Sequence, residues 1–274
     1  MELFDELNQL MVKYRFRPNR KMAQLFMVKQ DVLARLVKEA DLSEKDTVLE
    51  IGAGTGFLTR ELQKKCKVVA VELDSTLFEL LENELPKENL KLIHGNFLEV
   101  DVGKITKIVA LPPYTISANI LAKIFEVEPK LCILVFQKEF VEKLAAEPGF
   151  LEYNAMSVLT QYHFDVENLG LIPAGSFFPR PKSHSAILKL SASKKHGQAK
   201  DNALFYTFIK SVFRFQNKNV TNSVKNSLPF LGEKFKDPEV INKIVGKLEK
   251  HPLAKTKTNL LSCKEFVDLF NELF

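Results

Sequence analysis

Short apolar segments alternate with helical segments between residues 46 and 136, and this alternation strongly limits the folds open to the chain. Five of the apolar segments have the length of buried strands: residues 46–52, 67–73, 90–94, 107–111 and 131–136. Helical patterns lie near residues 28–40, 56–65, 75–86 and 116–125. Strands separated by helices form parallel sheets, because a parallel pair needs a long crossover connection. The sequence therefore predicts a doubly wound, Rossmann-like α/β sheet.

The remainder of the chain adds two strands and a helical tail. Residues 164–172 and 183–192 read as an antiparallel closing pair, which brings the expected count to seven strands, and residues 138–163 read as helical with a break at Pro148 and Gly149. A polar segment at 193–200 precedes apolar residues at helical spacing. We expect three parts: a basic N-terminal arm (1–22), the α/β domain (23–193) and a small all-helical domain (200–274).

Positive charge is concentrated at the two ends of the chain. Residues 191–274 hold 15 Lys and Arg against 8 Asp and Glu, a net +7, whereas the whole chain carries +5. The arm contributes a second cluster without an acid, formed by Lys13, Arg15, Arg17, Arg20 and Lys21. Such ends suit a polyanion held at its backbone. A solvated lysine-rich surface explains the same composition equally well.

Several kinds of protein are disfavoured. The chain starts without the basic end and apolar run of a signal peptide, and it contains no apolar stretch of 18 residues, so we expect a cytoplasmic protein without a membrane segment. Three cysteines lie far apart and form no CxxC pair, which argues against disulfides and a zinc site. The five histidines also lack ligand spacing, so we expect no metal.

A glycine-rich turn follows the first predicted strand. Gly52, Gly54 and Gly56 allow the backbone to turn tightly and approach a ligand, although this pattern alone is weak evidence for a cofactor. Glu50 precedes the turn, where it repels a diphosphate but attracts a cationic methionyl group. Glu72 ends the next strand, where a carboxylate accepts the ribose hydroxyls. This combination resembles the class I methyltransferases and favours S-adenosylmethionine over a dinucleotide.

The third strand ends in His94-Gly-Asn-Phe-Leu98, where the class I methyltransferases have an acid near the adenine. Asn96 stands at that place, and its carbonyl oxygen can accept from the adenine amine. Phe97 either covers the adenine face or simply belongs to the core.

The fourth strand ends in Val109-Ala-Leu-Pro-Pro-Tyr114. Enzymes that methylate the exocyclic amine of adenine have Asn or Asp, two further residues usually including proline, and an aromatic residue at this place. Pro112, Pro113 and Tyr114 match that pattern, but Leu111 replaces the Asn or Asp.

More motifs carry a specific resemblance to the small-subunit ribosomal RNA adenine N6,N6-dimethyltransferase family. They occur in the family's order at Ala23-Gln-Leu-Phe26, Phe136-Gln-Lys-Glu-Phe140, Phe177-Phe-Pro-Arg-Pro-Lys-Ser-His-Ser-Ala186 and Phe213-Arg-Phe-Gln-Asn-Lys218. Departures occur at Tyr153-Asn-Ala-Met-Ser157, where the family tends to have Tyr-Gly-Arg-x-Ser, and at Gln216, where arginine is common.

The resemblance implies an enzyme that transfers methyl groups from S-adenosylmethionine to the N6 of two adjacent adenosines in the terminal hairpin of small-subunit ribosomal RNA. It implies that Tyr114 and Phe177 sandwich the flipped adenine and that the Pro112 carbonyl accepts one amine hydrogen. Residue 111 supplies the second acceptor in the family, and leucine has none. Loss of one such contact typically slows a reaction by ~10²–10³.

Carried onto this chain, the resemblance gives three groups of candidate residues. The catalytic candidates are Leu111, Pro112, Pro113, Tyr114 and Phe177. The cofactor candidates are Gln24, Leu25, Glu50, Gly52, Gly54, Gly56, Glu72, Leu73, Asn96, Phe97 and Leu111. The RNA-binding candidates are Arg17, Arg20, Lys21, Arg180, Lys182, Arg214 and Lys218. The expected partner is ribosomal RNA within an assembling small subunit, with the protein acting as a monomer.

Two other functions remain open. An RNA-binding or ribosome-assembly factor could keep the cofactor fold with little catalysis, since Leu111 lacks the acceptor. A methyltransferase for duplex DNA or a small molecule is the third hypothesis, although the basic ends disfavour a small-molecule substrate.

Overall fold

The computed structural model describes residues 2–274, and the chain divides into two compact units. The first unit comprises the residues up to 141 together with 167–192, and the second comprises 142–166 together with 193–274. The helix Lys138–Ala145 lies across the division between the units.

Within residues 2–274, the strands form one seven-stranded sheet and one two-stranded sheet. In chain order they are β1 (Phe26–Met27), β2 (Thr47–Ile51), β3 (Lys67–Glu72), β4 (Leu90–His94), β5 (Lys107–Ala110), β6 (Leu131–Gln137), β7 (Phe164–Ile172), β8 (Phe177–Phe178) and β9 (Ser185–Ala192). The large sheet has the order β4-β3-β2-β5-β6-β9-β7, and β1 pairs with β8. Every predicted strand is present, so the expected seven-stranded α/β sheet is confirmed.

The strands β2 to β6 are parallel, and β9 pairs antiparallel with β6. The centre of the sheet is apolar on both faces, because helices cover a parallel sheet on two sides. In β6, for example, the run from Cys132 to Phe136 is buried throughout. The carboxyl ends of the parallel strands meet at one edge, which is where ligands bind in open α/β sheets.

The helices of the first unit connect these strands. They are α1 (Leu3–Lys13), α2 (Gln30–Glu39), α3 (Phe57–Gln63), α4 (Ser75–Glu84) and α5 (Ser117–Val127). The α4 helix starts where the Asp74 carboxylate accepts the N–H groups of Thr76 and Leu77, which satisfies two donors that have no partner within the helix. This cap fixes the chain directly after β3.

The N-terminal residues contribute to the core of the first unit. Leu3, Leu7 and Leu10 lie on one face of α1 and are buried in the same apolar cluster as the central strands. The Arg60 guanidinium binds the Glu6 carboxylate at 2.6 Å. The segment predicted as a basic arm therefore begins with a packed amphipathic helix, and its cations start at the last residue of that helix, Lys13, and continue beyond it.

The second unit is helical. Beyond the end of the helix Lys138–Ala145, written here as α6, it contains α7 (Ala155–His163), α8 (Asn202–Val212), α9 (Val220–Ser227), α10 (Pro238–Glu249) and α11 (Cys263–Leu273). Its core is rich in phenylalanine, and the ring centroids of Phe205 and Phe270 are 5.3 Å apart. The small all-helical domain expected from the sequence is thus observed.

Two tyrosines explain why residues 142–166 pack within the helical unit. The Tyr153 hydroxyl donates to the Leu261 carbonyl at 2.8 Å, and the Tyr162 hydroxyl donates to Asn202 Oδ1 at 2.7 Å. Buried hydroxyls need such partners, and both partners lie in the C-terminal part of the chain. The sequence had assigned residues 142–166 to the α/β domain. No helix of the described chain is both long and apolar enough to cross a membrane.

Replacing Leu7 with alanine is expected to lower the free energy of unfolding by about 2–5 kcal/mol, because the side chain is fully buried in the core of the first unit. Val12 on the same helix is 79% exposed, and Val12→Ala is the matched control, expected to change stability by less than about 0.5 kcal/mol. Urea denaturation measures both values. Equal effects of the two substitutions would contradict the packing of α1.

Candidate active site

The glycine turn after β2 forms the floor of the site. Gly52, Gly54 and Gly56 all have positive φ angles, of 75°, 59° and 79°. The N–H groups of Gly52 and Ala53 both donate to the Val71 carbonyl, at 2.9 and 3.2 Å, so the turn is anchored to the end of β3. A β-carbon at Gly56 would lie 2.9 Å from Leu81 Cδ2, so this glycine allows α4 to pack closely.

The Glu72 carboxylate holds two loops together at the end of β3. Its Oε2 accepts the Gly54 N–H at 2.8 Å, and its Oε1 accepts the N–H groups of Leu73 and Asp74, both at 2.9 Å. Burial nevertheless raises the pKa of Glu72. The carboxylate is therefore desolvated, fixed in orientation and directed at the cavity.

Glu50 is a second buried acid, on β2 just before the glycines. It is 2% exposed, and among the described residues its Oε2 has no hydrogen-bond partner. Burial raises the pKa of Glu50 to about 8, and the negative charge of Glu72 adds to the increase. A buried carboxyl with an unpaired oxygen is stabilised by a cation nearby.

The segment before α2 covers one side of the cavity. A short 3₁₀ helix (Arg20–Met22) leads to Gln24, whose amide connects two elements. Gln24 Oε1 accepts the Asn19 N–H at 2.8 Å, and Gln24 Nε2 donates to Asp74 Oδ2 at 2.9 Å. The covering segment is thus tied to the cap of α4.

The aromatic side of the site comes from three separate elements. Tyr114 begins a 3₁₀ helix after β5, and its hydroxyl lies 2.5 Å from the Ser185 hydroxyl on β9. Burial raises the pKa of Tyr114 to about 12, so the phenol is neutral near pH 7. Phe177, 4% exposed, lies on β8 opposite Met27 of β1. The β1–β8 pair therefore positions Phe177 beside the covering segment.

A cavity of about 300 Å³ joins these parts. Most of the predicted cofactor and catalytic residues line it: Gln24, Leu25, Gly52, Gly54, Glu72, Leu73, Asn96, Phe97, Leu111, Pro112, Pro113, Tyr114 and Phe177. Glu50 and Gly56 are not in the lining: Glu50 is buried within β2, and Gly56 packs on α4.

Sequence reasoning missed part of the lining. The additional residues are mostly apolar neighbours of predicted ones: Met22, Ala23, Phe26, Ile51, Val71, Leu77, Gly95, Ile116 and Ile120, together with Thr115. Ala23 and Phe26 belong to the Ala23–Phe26 motif, and Ile51, Val71 and Gly95 lie at or beside strand ends. The others had no signal beyond their closeness in sequence to predicted residues or their position on a following helix. Lys21, predicted to bind RNA, also lines the cavity.

Asn96 follows β4 and Asn119 lies on the helix after β5, and of the two only Asn96 lines the cavity. Asn96 Oδ1 accepts the Leu98 N–H at 3.1 Å, and its Nδ2 donates to Glu99 Oε1 at 2.8 Å. The amide is therefore oriented by its own turn, with its carbonyl oxygen already accepting one bond. Asn119 on α5 is exposed and lies outside the cavity lining.

All seven RNA-binding candidates are exposed, five in the first unit and two in the second. Arg17, Arg20 and Lys21 lie between α1 and β1, and Arg180 and Lys182 lie between β8 and β9. Arg214 and Lys218 lie between α8 and α9 in the second unit.

Comparison with known proteins extends the match over most of the chain. The sequence profile of the ribosomal RNA adenine dimethylase family matches residues 15–233. A probable ribosomal RNA small subunit methyltransferase A of Thermococcus gammatolerans is 36% identical over 97% of this chain and 92% of its own length. The protein of the same name from Methanosarcina acetivorans is 36% identical over 92% of each chain.

A solved structure supports the same fold. The crystal structure of a dimethyladenosine transferase from Plasmodium falciparum superimposes with a TM-score of 0.79 at 23% identity, covering 89% of this chain and 95% of that one. The resemblance drawn from the sequence motifs is confirmed, and the chain belongs to the ribosomal RNA adenine dimethylase family.

Proposed function

We propose that this protein transfers methyl groups from S-adenosylmethionine to the N6 of adenosines in the 3′-terminal hairpin of small-subunit ribosomal RNA, during ribosome biogenesis. The observation that carries the proposal is one cavity that joins the acid-flanked glycine turn of β2 to the Pro-Pro-Tyr segment of β5 and Phe177. The substrate is ribosomal RNA within an assembling small subunit, and the protein acts on it as a monomer in the cytoplasm.

The donor side of the cavity fits S-adenosylmethionine, the cofactor of this family. When bound, the cofactor supplies an electrophilic methyl group on a sulfonium. Glu72 lies at the carboxyl end of β3 and accepts the ribose hydroxyls with its remaining lone pairs. The unpaired oxygen of buried Glu50 provides the negative charge that a cationic methionyl moiety requires. Gly52 and Gly54 let the backbone approach the ligand.

On the acceptor side, Tyr114 and Phe177 hold the flipped adenine between two rings, and the Pro112 carbonyl accepts one hydrogen of the exocyclic amine. These contacts would orient the lone pair of the amine nitrogen toward the methyl donor, whose S–CH3 bond would break to leave a neutral thioether, and the amine proton would pass to solvent. Leu111 gives no second acceptor. Thr115 lines the cavity and carries a hydroxyl, which makes it the candidate substitute.

RNA contacts come from the exposed cations. Lys21, which lines the cavity, together with Arg17, Arg20, Arg180 and Lys182, contacts phosphates next to the flipped nucleotide, and Arg214 and Lys218 contact the RNA from the second unit. The net +7 of residues 191–274 supports this role.

Replacing Leu111 with asparagine is expected to raise the rate of N6 methylation by ~10²–10³, because the amide oxygen supplies the missing acceptor. Mass spectrometry of the terminal hairpin from unmethylated small subunits, incubated with protein and S-adenosylmethionine, measures mono- and dimethyladenosine. Leu111 packs against the core, so Leu111→Ala is the control for lost packing and is expected to give no increase. An unchanged rate in the asparagine variant would contradict the proposal that an acceptor is missing at residue 111. Thr115 would then be the next residue to replace.

Removing the Ser185 hydroxyl with Ser185→Ala is expected to slow methylation about three- to tenfold, because the Tyr114 ring loses the bond that fixes it. Ser185→Thr keeps a hydroxyl and is expected to retain more activity. Ser183→Ala, just before β9, is the control, since within residues 2–274 the Ser183 hydroxyl accepts only from the exposed Gln137 amide, at 3.3 Å. Equal rates for Ser185→Ala and Ser183→Ala would argue against positioning of the ring by Ser185.

Cofactor affinity is expected to rise with pH up to about 8. Without a cation nearby, Glu50 is protonated below its pKa of about 8, and a bound cation favours the carboxylate, so binding releases a proton. The gain is at most about tenfold per pH unit and levels off above pH 8. Titration calorimetry in buffers of different ionisation enthalpy measures the proton released near pH 7.

The variant Glu50→Gln is expected to bind the cofactor more weakly and without this proton release. Glu88→Gln changes an exposed acid and is the matched control, with release as in the unmodified protein. Proton release that persists in Glu50→Gln would exclude Glu50 as its source.

A further inference from the structure

An exposed aromatic ring and a cation are stacked on the second unit. Phe230 ends a short 3₁₀ helix (Leu228–Phe230), and its side chain is 45% exposed. The Arg214 Cζ atom lies 4.1 Å from the centroid of the Phe230 ring, and the Phe215 ring lies 6.4 Å away at an interplanar angle of 35°. Arg214 itself is exposed. The surface therefore presents two flat groups, a guanidinium and a phenyl ring, in contact with each other.

The charge around this stack is uniformly positive along the chain. Residues 202–232 contain the cations Lys210, Arg214, Lys218 and Lys225 and no aspartate or glutamate. Lys257 is brought to the same region by the antiparallel bridge between Asn219 and Lys257. Within residues 2–274, neither Arg214, Lys218 nor Lys257 forms an ion pair. These cations are free to neutralise an external anion.

We propose that Arg214 and Phe230 form a stacking site for one unpaired nucleobase of RNA, with Lys218 and Lys257 contacting the adjoining phosphates. The inference rests on the proposed function, because it takes RNA as the substrate, and it adds the mode of contact at the second unit. Every base has a flat π face, and unpaired bases of RNA stack on aromatic rings and on guanidinium planes. Bases within a duplex are already stacked on their neighbours.

The arrangement favours an unpaired nucleotide over a purely electrostatic contact. A phosphate needs only a cation, and an exposed phenyl ring contributes nothing to that bond. An unstacked base uses both groups, because its faces are apolar and polarisable while its backbone is anionic. Single-stranded RNA is therefore expected to bind this site more tightly than duplex RNA of equal length.

The test uses the full-length protein and a fluorescent single-stranded oligoribonucleotide, with a duplex of the same length for comparison. Phe230→Leu keeps apolar volume but removes the ring, and Arg214→Lys keeps the charge but removes the plane. Each is expected to weaken single-stranded binding about ten- to a hundredfold and to leave duplex binding nearly unchanged. Lys225→Ala removes a cation of the same segment outside the stack, and it is expected to weaken both RNAs slightly and equally.

A second readout reports stacking directly. An oligoribonucleotide with 2-aminopurine at its unpaired position is expected to lose fluorescence on binding the unmodified protein, but not on binding Phe230→Leu. An abasic residue at that position is expected to lower the affinity of the unmodified protein to that of Phe230→Leu, with no further loss in the variant.

The proposal is overturned if Phe230→Leu and Arg214→Lys bind single-stranded RNA as the unmodified protein does, or if the unmodified protein binds neither RNA. Methylation measured in parallel separates this proposal from the proposed function. Fluorescence quenching without any N6-methylated product would contradict the proposed methyltransferase activity but support the stacking site. Formation of N6-methylated product, with no effect of Phe230→Leu on RNA binding, would support the methyltransferase activity and contradict the stacking site.

Discussion

The Glu72 carboxylate is the contact on which the site depends. Three backbone N–H groups converge on it, from Gly54 in the turn after β2 and from Leu73 and Asp74 after β3. Charge-assisted bonds of this kind offset much of the cost of burying the acid. The same bonds fix the glycine turn relative to the start of α4, where Asp74 also binds Gln24. One buried carboxylate thereby sets the positions of the cavity floor and of the segment that covers it.

The acceptor half is assembled from elements far apart in sequence. Tyr114 follows β5, Ser185 belongs to β9, and Phe177 is placed by the pairing of β8 with β1. Only the fold brings these side chains to one cavity. A shift of any of the three elements would therefore change the positions of the two aromatic rings. Leu111 lies among them as an apolar side chain packed on the core. Leu111 therefore gives the cavity an apolar side chain where the proposed reaction calls for a second acceptor.

The sequence predicted what depends on local pattern and missed what depends on distant partners. The sheet was predictable because a parallel strand buried on two faces must be a continuous apolar run, as in β6. The pair β1 and β8 has two residues in each strand, too few to carry a period. The sequence placed residues 142–166 in the α/β domain, whereas in the structure they pack in the helical unit. Their hydrogen-bond partners, Leu261 for Tyr153 and Asn202 for Tyr162, lie far along the chain. Gly56 is predicted as a cofactor residue from its place in the glycine turn, and the sequence gives no sign of its close packing against Leu81 on another helix.

The titratable groups of the site leave positioning as the main source of catalysis. Glu50 is buried within β2, and Tyr114, whose pKa burial raises to about 12, remains a neutral phenol at pH 7. The proposed reaction gives neither group the role of a base on the amine, because methyl transfer from a sulfonium needs none. The rate then depends on how closely the amine nitrogen approaches the methyl carbon in line, where an error of about 1 Å costs ~10²-fold. The roles proposed for Tyr114 and Phe177 are consistent with that requirement, because the Tyr114 hydroxyl lies 2.5 Å from the Ser185 hydroxyl and Phe177 lies on a paired strand.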